Sequence, residues 1–268
     1  MEIINWGKFL QPYEQAVEEL CLKFRNLDRE FLTNGQHSPI ESVDGRVKSI
    51  ASILVKAQRK NIPYDDISAK IEDIAGVRVI CRFVEDIGRF LELLRVRNGV
   101  DMLVTDERDY ITDAKPSGYR SYHVLIRYPL VTSEGRTEVS AEIQIRTMAM
   151  NFWATIEHSL KYKYSDNLPD DLQKRLRSAA EASFQLDKEM GKIRGEIVAA
   201  NRVTQRRNEL VDRIMKSIDQ LYFSAHIENA NDLNRQFIEI FERGNLLELS
   251  AFNERLIAMA KMYKVEYE

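Results

Sequence analysis

From Thr137 to Arg146 apolar and polar residues alternate, a period that an extended strand satisfies and a helix does not. Ser121 to Leu130 also reads as a strand, and Thr132 to Arg136 supplies turn chemistry around Gly135, so the three segments make a β-hairpin. Val139, Ala141, Ile143 and Ile145 share one face of the returning strand and belong to a core. Ser140, Glu142, Gln144 and Arg146 share the other, which presents a carboxylate, an amide and a guanidinium in a row. The partner strand enters through Gly118, Tyr119, Arg120, Ser121, Tyr122 and His123. Such a face is either solvated sheet or the floor of a site, and the rest of the chain bears on which.

Away from the hairpin the periodicity is mostly helical. Trp6, Phe9, Leu10, Tyr13, Val17, Leu20, Phe24, Leu27 and Phe31 recur at steps of three and four and predict a long amphipathic helix over 5–32. A polar break from Thr33 to Pro39 follows, and 43–60 predicts a second helix. On a wheel of about 100° per residue, Val47, Ile50, Ala51, Leu54 and Ala57 fall on one side of it, with Arg46, Lys48, Ser49, Ser52, Lys56 and Arg59 on the other. No acid occurs between Arg46 and Lys60, so the outer stripe is either solvated or laid along an anionic ligand. Ile71 to Gly76 leads into a strand over 77–83, with Asp73 on its lip. Residues 86–98 read as a helix stopped by Asn98-Gly99, and 100–105 as a short strand. Asp106 to Ser117 reads as a polar loop holding Arg108, Asp109 and Lys115, of a length that is often functional.

Thr147 is expected to cap a helix to about Tyr164, with Trp153, Ile156 and Leu160 inward and Glu157 and His158 at its side. Pro169, Asp170 and Asp171 suit the start of another helix. Leu172, Leu176, Ala179, Ser183, Leu186, Met190, Ile193 and Ile197 then hold heptad spacing, either packed on the first helix or forming a subunit contact. From about 205 the pattern is helical again, through Val211, Ile214, Ile218, Leu221 and Tyr222, then Leu233, Phe237 and Phe241. After a break at Gly244-Asn245 it continues through Leu247, Phe252, Leu256 and Ile257. This tail carries no chemical constellation. The class is α+β, a sheet flanked by helices with long N- and C-terminal helices.

Composition narrows the chemistry. Over 268 residues the net charge is -3, so no global basic field draws the chain to nucleic acid or membrane and any anion site is a local patch. Cys21 and Cys81 lie unpaired in apolar-periodic segments, as small core residues in a reducing compartment do. Met1 to Asn5 lacks a basic and apolar leader pattern and no window is long enough to span a membrane, so a cytoplasmic protein is expected. Asp73 and Glu142 are isolated acids among many cations. Acids would repel a DNA surface, whereas two carboxylates with cations suit a polyphosphate and a divalent metal. The P-loop and dinucleotide glycine patterns, zinc-type spacing and a Gly-x-Ser-x-Gly nucleophile are all missing.

Five segments then stand in a familiar order and spacing: Gly45-Arg46-Val47-Lys48, Asp73-Ile74-Ala75-Gly76-Val77-Arg78, Lys115 through His123, Glu142 through Thr147, and Asn151-Phe152-Trp153-Ala154 through Glu157-His158. Through them the chain resembles the RelA/SpoT synthetase domain, above all its RelQ-type small alarmone synthetases, from the first helix to about residue 200. The resemblance implies a mixed central sheet of nucleotidyltransferase-like type in a domain over 1–204 with its flanking helices, and a helical C-terminal extension over 205–268. It implies Mg2+-dependent transfer of pyrophosphate from ATP to the 3′-hydroxyl of GTP or GDP, giving pppGpp or ppGpp and AMP. Carried over by position, Arg46 and Arg78 flank adenine, while Lys48, Ser52, Lys56 and Arg59 bind the ATP phosphates. Asp73 and Glu142 hold magnesium, and Glu142 is also the base toward the 3′-hydroxyl. Tyr119 stacks on guanine, Arg108, Lys115 and His123 grip the acceptor's phosphates, and Gln144 and Asn151 help to place it.

The same resemblance implies a homotetramer, stimulated in some members by pppGpp between subunits or inhibited by single-stranded RNA. It implies no hydrolase, because the chain begins almost directly with synthetase-type helices. Cys21 and Asp28 stand where basic residues are usual, and Ser42 and Asp44 replace the Phe and Thr before Gly45. Added negative charge weakens an anion site, so activation by pppGpp is expected to be reduced or lost. The alternative is a catalytically silent nucleotide- or RNA-binding regulator of the same fold, which should lack one of the two acids; both are present.

Overall fold

The N-terminal apolar stripe closes as helix α1, Trp6–Thr33, whose first turn is capped by Asn5 accepting from the Lys8 amide at 3.2 Å. Tyr13, Ala16, Val17, Leu20, Cys21 and Phe24 form its buried face. The computed structural model describes residues 5–164, 169–225, 230–243 and 245–262; Met1 to Ile4 and Gly244 of the sequence reading lie outside them.

Residues 43–60 are not one helix. Ser42–Val47 is strand β1, and α2 begins only at Ile50 and ends at Arg59, with Ser49 as its cap. Gly45 accounts for the difference. A Cβ there would lie 2.5 Å from Val17 Cγ1 and 2.7 Å from Cys21 Sγ, so the backbone lies flat on α1 and finds its hydrogen bonds in a neighbouring strand. The wheel shifts accordingly. Ile53 and Ala57 are the buried residues of α2, whereas Ile50, Ala51 and Val55 are exposed beside the basic residues.

After a 3-10 turn, Tyr64–Asp66, and a short helix α3, Ile67–Lys70, come strand β2, Ala75–Cys81, and helix α4, Val84–Arg97. Arg82 therefore lies past the strand end, where it pairs with Glu41. Strand β3 is Leu103–Asp109, later than the expected 100–105, and it takes Arg108 out of the loop. It is an edge strand with mostly exposed polar side chains, so it lacks the apolar alternation that marks a strand with one buried face. The hairpin is β4, Tyr122–Thr132, and β5, Gly135–Thr147, joined by the two-residue turn Ser133-Glu134, after which Gly135 opens β5 with φ +111°. The strand order is β1-β2-β5-β4-β3, with β2 and β5 parallel and the other neighbours antiparallel, so the sheet is mixed. One face packs Val77, Val79, Val124, Ile126, Ile143 and Ile145 into the main core with α1 and α4.

Helix α5, Met148–Tyr164, starts at Thr147, whose Oγ1 accepts from the Met150 amide at 3.1 Å. Trp153 and Ala154 are buried, but Ile156 faces outward, contrary to the expected inward line. Helix α6, Asp170–Ala225, is continuous through position 205. Its heptad residues Leu172, Leu186 and Met190 are exposed, so that part of the stripe is not packed on α1. The buried side runs instead through Ala180, the half-covered Phe184, the buried Asp187 and Gly191, at steps of four, three and four. Small and polar residues on that line hide it from a hydrophobicity pattern.

Two compact units divide the chain at Lys192 and Ile193, inside α6. The second contains α7, Ala230–Arg243, and α8, Leu246–Met262. Leu210, Ile214, Ile218, Leu221, Leu233, Phe237, Leu249, Phe252, Leu256 and Ala260 make its core, while Tyr222 and Leu247 are exposed. No described helix is long and apolar enough to cross a membrane.

Asp187 offers a test of how α6 docks. Its carboxylate accepts from Thr147 Oγ1 at 2.5 Å, yet burial, with Glu85 nearby, pushes its pKa from 3.8 up to about 6. A raised carboxyl pKa means that the neutral form favours the fold, so its contribution is present below about pH 4 and lost as pH rises through about 6. Asp187→Asn, which never ionises, is expected to stabilise the protein by about 2 kcal/mol at pH 8, or roughly 5 °C in Tm. Near pH 4 the difference should vanish, and thermal melts at both values check it.

Candidate active site

Register places the polar residues. Across the non-core face, Arg78, Gln144, His123 and Arg108 lie in one row of paired positions from β2 to β3. Arg46, Gly76, Glu142, Leu125 and Asp106 make the next row. Gly76 has no atom but the Arg46 carbonyl oxygen within 4 Å of where its Cβ would be, at 3.7 Å, so the floor between Arg46 and Glu142 is open. Arg108, on the edge strand, is held by Asp106 at 2.7 Å and Glu72 at 3.2 Å.

Beside the N-terminal end of β2 a cleft of about 600 Å³ is lined by Lys48, Ser49, Ser52, Lys56, Arg59 and Asp73, together with Ala51 and Val55. Asp73 Oδ2 meets Lys48 Nζ at 2.5 Å and Lys56 Nζ at 2.8 Å. Burial alone would raise the Asp73 pKa, but the two ammonium groups outweigh it and hold the carboxyl below its ordinary value.

Glu142 is buried, with a hydrogen-bond partner on each carboxylate oxygen. Its Oε1 lies 2.9 Å from His123 Nδ1, and its Oε2 accepts from Gln144 Nε2 at 2.6 Å. Burial would raise its pKa, and the bonds to His123 and Gln144 bring it below the ordinary value, while the charge of Asp73 acts in the opposite sense. Register sets Glu142 opposite Gly76, three residues past Asp73. The network continues from His123 Nε2 to Tyr119 Oη at 2.8 Å, and from there to Arg146 Nη2 at 2.6 Å. Arg146 also donates to Gln144 Oε1 at 2.8 Å and lies over the Tyr119 ring. With Nδ1 donating to Glu142, Nε2 is left to accept the Tyr119 hydroxyl proton. Lys115 Nζ sits 4.3 Å from the Tyr110 ring centroid and 4.9 Å from that of Tyr119. Its pKa is lowered by burial and by Arg146 and Arg108, against the opposing pull of Glu142.

A second cleft, of about 350 Å³, is lined by Arg46, Arg78, Tyr119, Gln144, Arg146 and residues of α5 that include Glu157 and His158. Three guanidinium groups meet there. Burial, with Arg146 and Arg46 nearby, pushes the Arg78 pKa down, and its buried Nε has no hydrogen-bond partner. Residues assigned by sequence to two different nucleotides, Arg46 and Arg78 against Tyr119 and Gln144, thus share one cleft. Asn151, in the first turn of α5, keeps a buried Oδ1 without a partner. Arg146, Tyr110 and Glu72 were missing from the sequence-derived site. Alternation had already put Arg146 on the right face, whereas nothing local marks Tyr110 or Glu72.

Asp73 Oδ1 is likewise buried without a partner. An orphaned carboxylate oxygen is what a hard cation satisfies. Among the described residues no three His, Cys, Asp or Glu side chains cluster to enclose an ion. Asp73 therefore fits a divalent ion that takes few protein ligands and completes its shell with phosphate and water.

The family described as the region found in RelA and SpoT proteins matches residues 45–167. The chain is 51% identical to GTP pyrophosphokinase YjbM of Bacillus subtilis over 209 residues, 78% of this chain and 98% of that protein. It is 39% identical to GTP pyrophosphokinase YwaC of the same organism, over 72% of this chain and 92% of the relative. Its fold matches the crystal structure of small alarmone synthetase 1 from Bacillus subtilis bound to its product pppGpp. The TM-score is 0.69 at 54% identity, covering 72% of this chain and 97% of that one.

Proposed function

The chain belongs to the RelA/SpoT family, and from that premise we propose that it is a GTP pyrophosphokinase, transferring pyrophosphate from ATP to the 3′-hydroxyl of GTP or GDP. The observation that carries the reading is the register that sets Glu142 opposite Gly76, three residues past Asp73, with each acid held below its ordinary pKa by a different set of donors. In the reaction the 3′-oxygen forms a bond to the β-phosphorus of ATP, the bond from that phosphorus to the bridging α,β-oxygen breaks, and AMP leaves. Glu142 Oε1 or Oε2 takes the hydroxyl proton. Lys48, Ser52, Lys56 and Arg59 bind the triphosphate in the larger cleft, and Arg46 and Arg78 flank the adenine. Tyr119 stacks on guanine, Gln144 and Asn151 place the acceptor, and Lys115, Arg108 and His123 meet its phosphates.

Asp73 and Glu142 would hold Mg2+, which neutralises charge on the transferred group when bound. Lys48 and Lys56 rest on Asp73 and turn toward the triphosphate when ATP enters.

The test is incubation with ATP, GTP and Mg2+, resolved by anion exchange. The expected result is a guanosine pentaphosphate equimolar with AMP; release of neither would overturn the reading. Stimulation by added pppGpp should be reduced or lost, since Asp44 lies exposed on β1 and Cys21 is buried against Gly45 rather than offered to an anion. The exposed apolar stripe on α6, including Leu172, Leu186 and Met190, supports self-association, with a homotetramer as the proposed state.

A further inference from the structure

The loop between β3 and β4 carries Lys115 and Tyr119, and it rests on α6. Gly118 has φ +92°, and a Cβ on it would lie 2.7 Å from the Ala180 Cβ, so loop backbone and helix are already at contact distance. Two residues on, the Arg120 guanidinium lies flat over the Phe184 ring, 3.9 Å from its centroid. Its Nη2 donates to Glu181 Oε2 at 3.1 Å, and its Nη1 donates to the Ile111 carbonyl at the other end of the loop. The Tyr119 ring packs on Trp153, Ala154 and Ala180, and Trp153 in turn donates to the Leu176 carbonyl of α6 at 2.9 Å. None of the α6 residues lines the cleft that holds Tyr119 and Gln144.

We infer that Glu181 and Phe184 of α6 are positioning residues for the acceptor nucleotide, acting through Arg120 to fix the loop that presents Tyr119 and Lys115. The inference rests on the assignment of Tyr119 and Lys115 to the acceptor given above. Its physical basis is the cost of ordering a polar loop. A planar guanidinium that stacks on one side and makes hydrogen bonds to both a helix and the loop's own backbone removes that freedom before the acceptor arrives. Lys48, Lys56 and Arg59, on α2 and the segment just before it, are not touched by this clamp, and although Tyr119 shares its cleft with Arg46 and Arg78, Arg120 bonds to neither, so the effect should fall mainly on the acceptor.

Steady-state kinetics on the full chain test this. Glu181→Ala should raise KM for GTP and GDP about five- to tenfold, with KM for ATP within twofold and kcat little changed. Glu181→Gln, which keeps an acceptor for Arg120, should recover most of the loss, and Phe184→Leu should repeat the acceptor-selective effect. Direct GDP titration of the same variants should weaken in parallel. An unchanged GTP KM in Glu181→Ala, or equal rises for both substrates, overturns the inference while leaving the wild-type reaction intact. A wild-type chain that makes no product overturns the reading beneath it, and the inference with it.

Discussion

Glu142→Gln is expected to lower pyrophosphate transfer about a thousandfold while ATP and GTP affinities change by less than about threefold. The substitution removes the group placed to accept the 3′-hydroxyl proton and keeps the volume of the side chain. Its local cost is also legible. The new amide can still accept from His123 Nδ1 through its oxygen, but its nitrogen then faces the Gln144 Nε2 that in the wild type donates to Glu142 Oε2. Gln144 cannot simply rotate, because its Oε1 accepts from Arg146. One lost hydrogen bond inside a buried network should cost about 1–2 kcal/mol of stability, too little to unfold the chain. Calorimetric titration with each nucleotide, alongside turnover, separates the two effects. Turnover above a tenth of wild type would remove Glu142 as the base; affinities falling in step with turnover would make its role structural.

How much of this was legible beforehand varies with the kind of signal. The hairpin was, because one buried face imposes period two, and Val139, Ala141, Ile143 and Ile145 are all buried as the alternation requires. Alternation also put Glu142, Gln144 and Arg146 on the face that forms the site. Strand β1 was not legible, since Ser42 to Val47 is an edge whose pattern merges with that of α2, and only Gly45 against α1 separates them. Edge strand β3 was hidden the same way, and with it the fact that Arg108 stands at a paired register position opposite His123 rather than in a loop. Helix α6 misled through its chemistry. Its conspicuous heptad stripe is exposed, while the line that docks runs through Ala180, Asp187 and Gly191, where contact is made by closeness and hydrogen bonding rather than by apolar area. Asp73 lay two residues before its strand and Glu142 sixty-nine residues further on, so it is the parallel pairing of β2 with β5 that sets Glu142 opposite Gly76, and no local pattern encodes that pairing.

Asp73→Asn should abolish turnover as completely as the change at Glu142, with a different binding signature. Asp73 Oδ2 occupies both Lys48 and Lys56, so the resting carboxylate competes with any triphosphate for the same two cations. Its other oxygen is buried and unpartnered, the position from which a divalent ion would be held. An asparagine carries no charge to compete for the lysines and binds a hard cation poorly. Without divalent metal, the variant should therefore bind ATP more tightly than wild type, by roughly three- to tenfold for the loss of one opposing charge at this distance in a partly solvated cleft. With Mg2+ present the order should reverse, because only the wild type gains from the ion. ATP titrations with and without Mg2+ measure both. A variant whose ATP affinity responds to Mg2+ as the wild type does would show that Asp73 does not hold the ion, and the two lysines would then be structural partners of a carboxylate that plays no part in transfer.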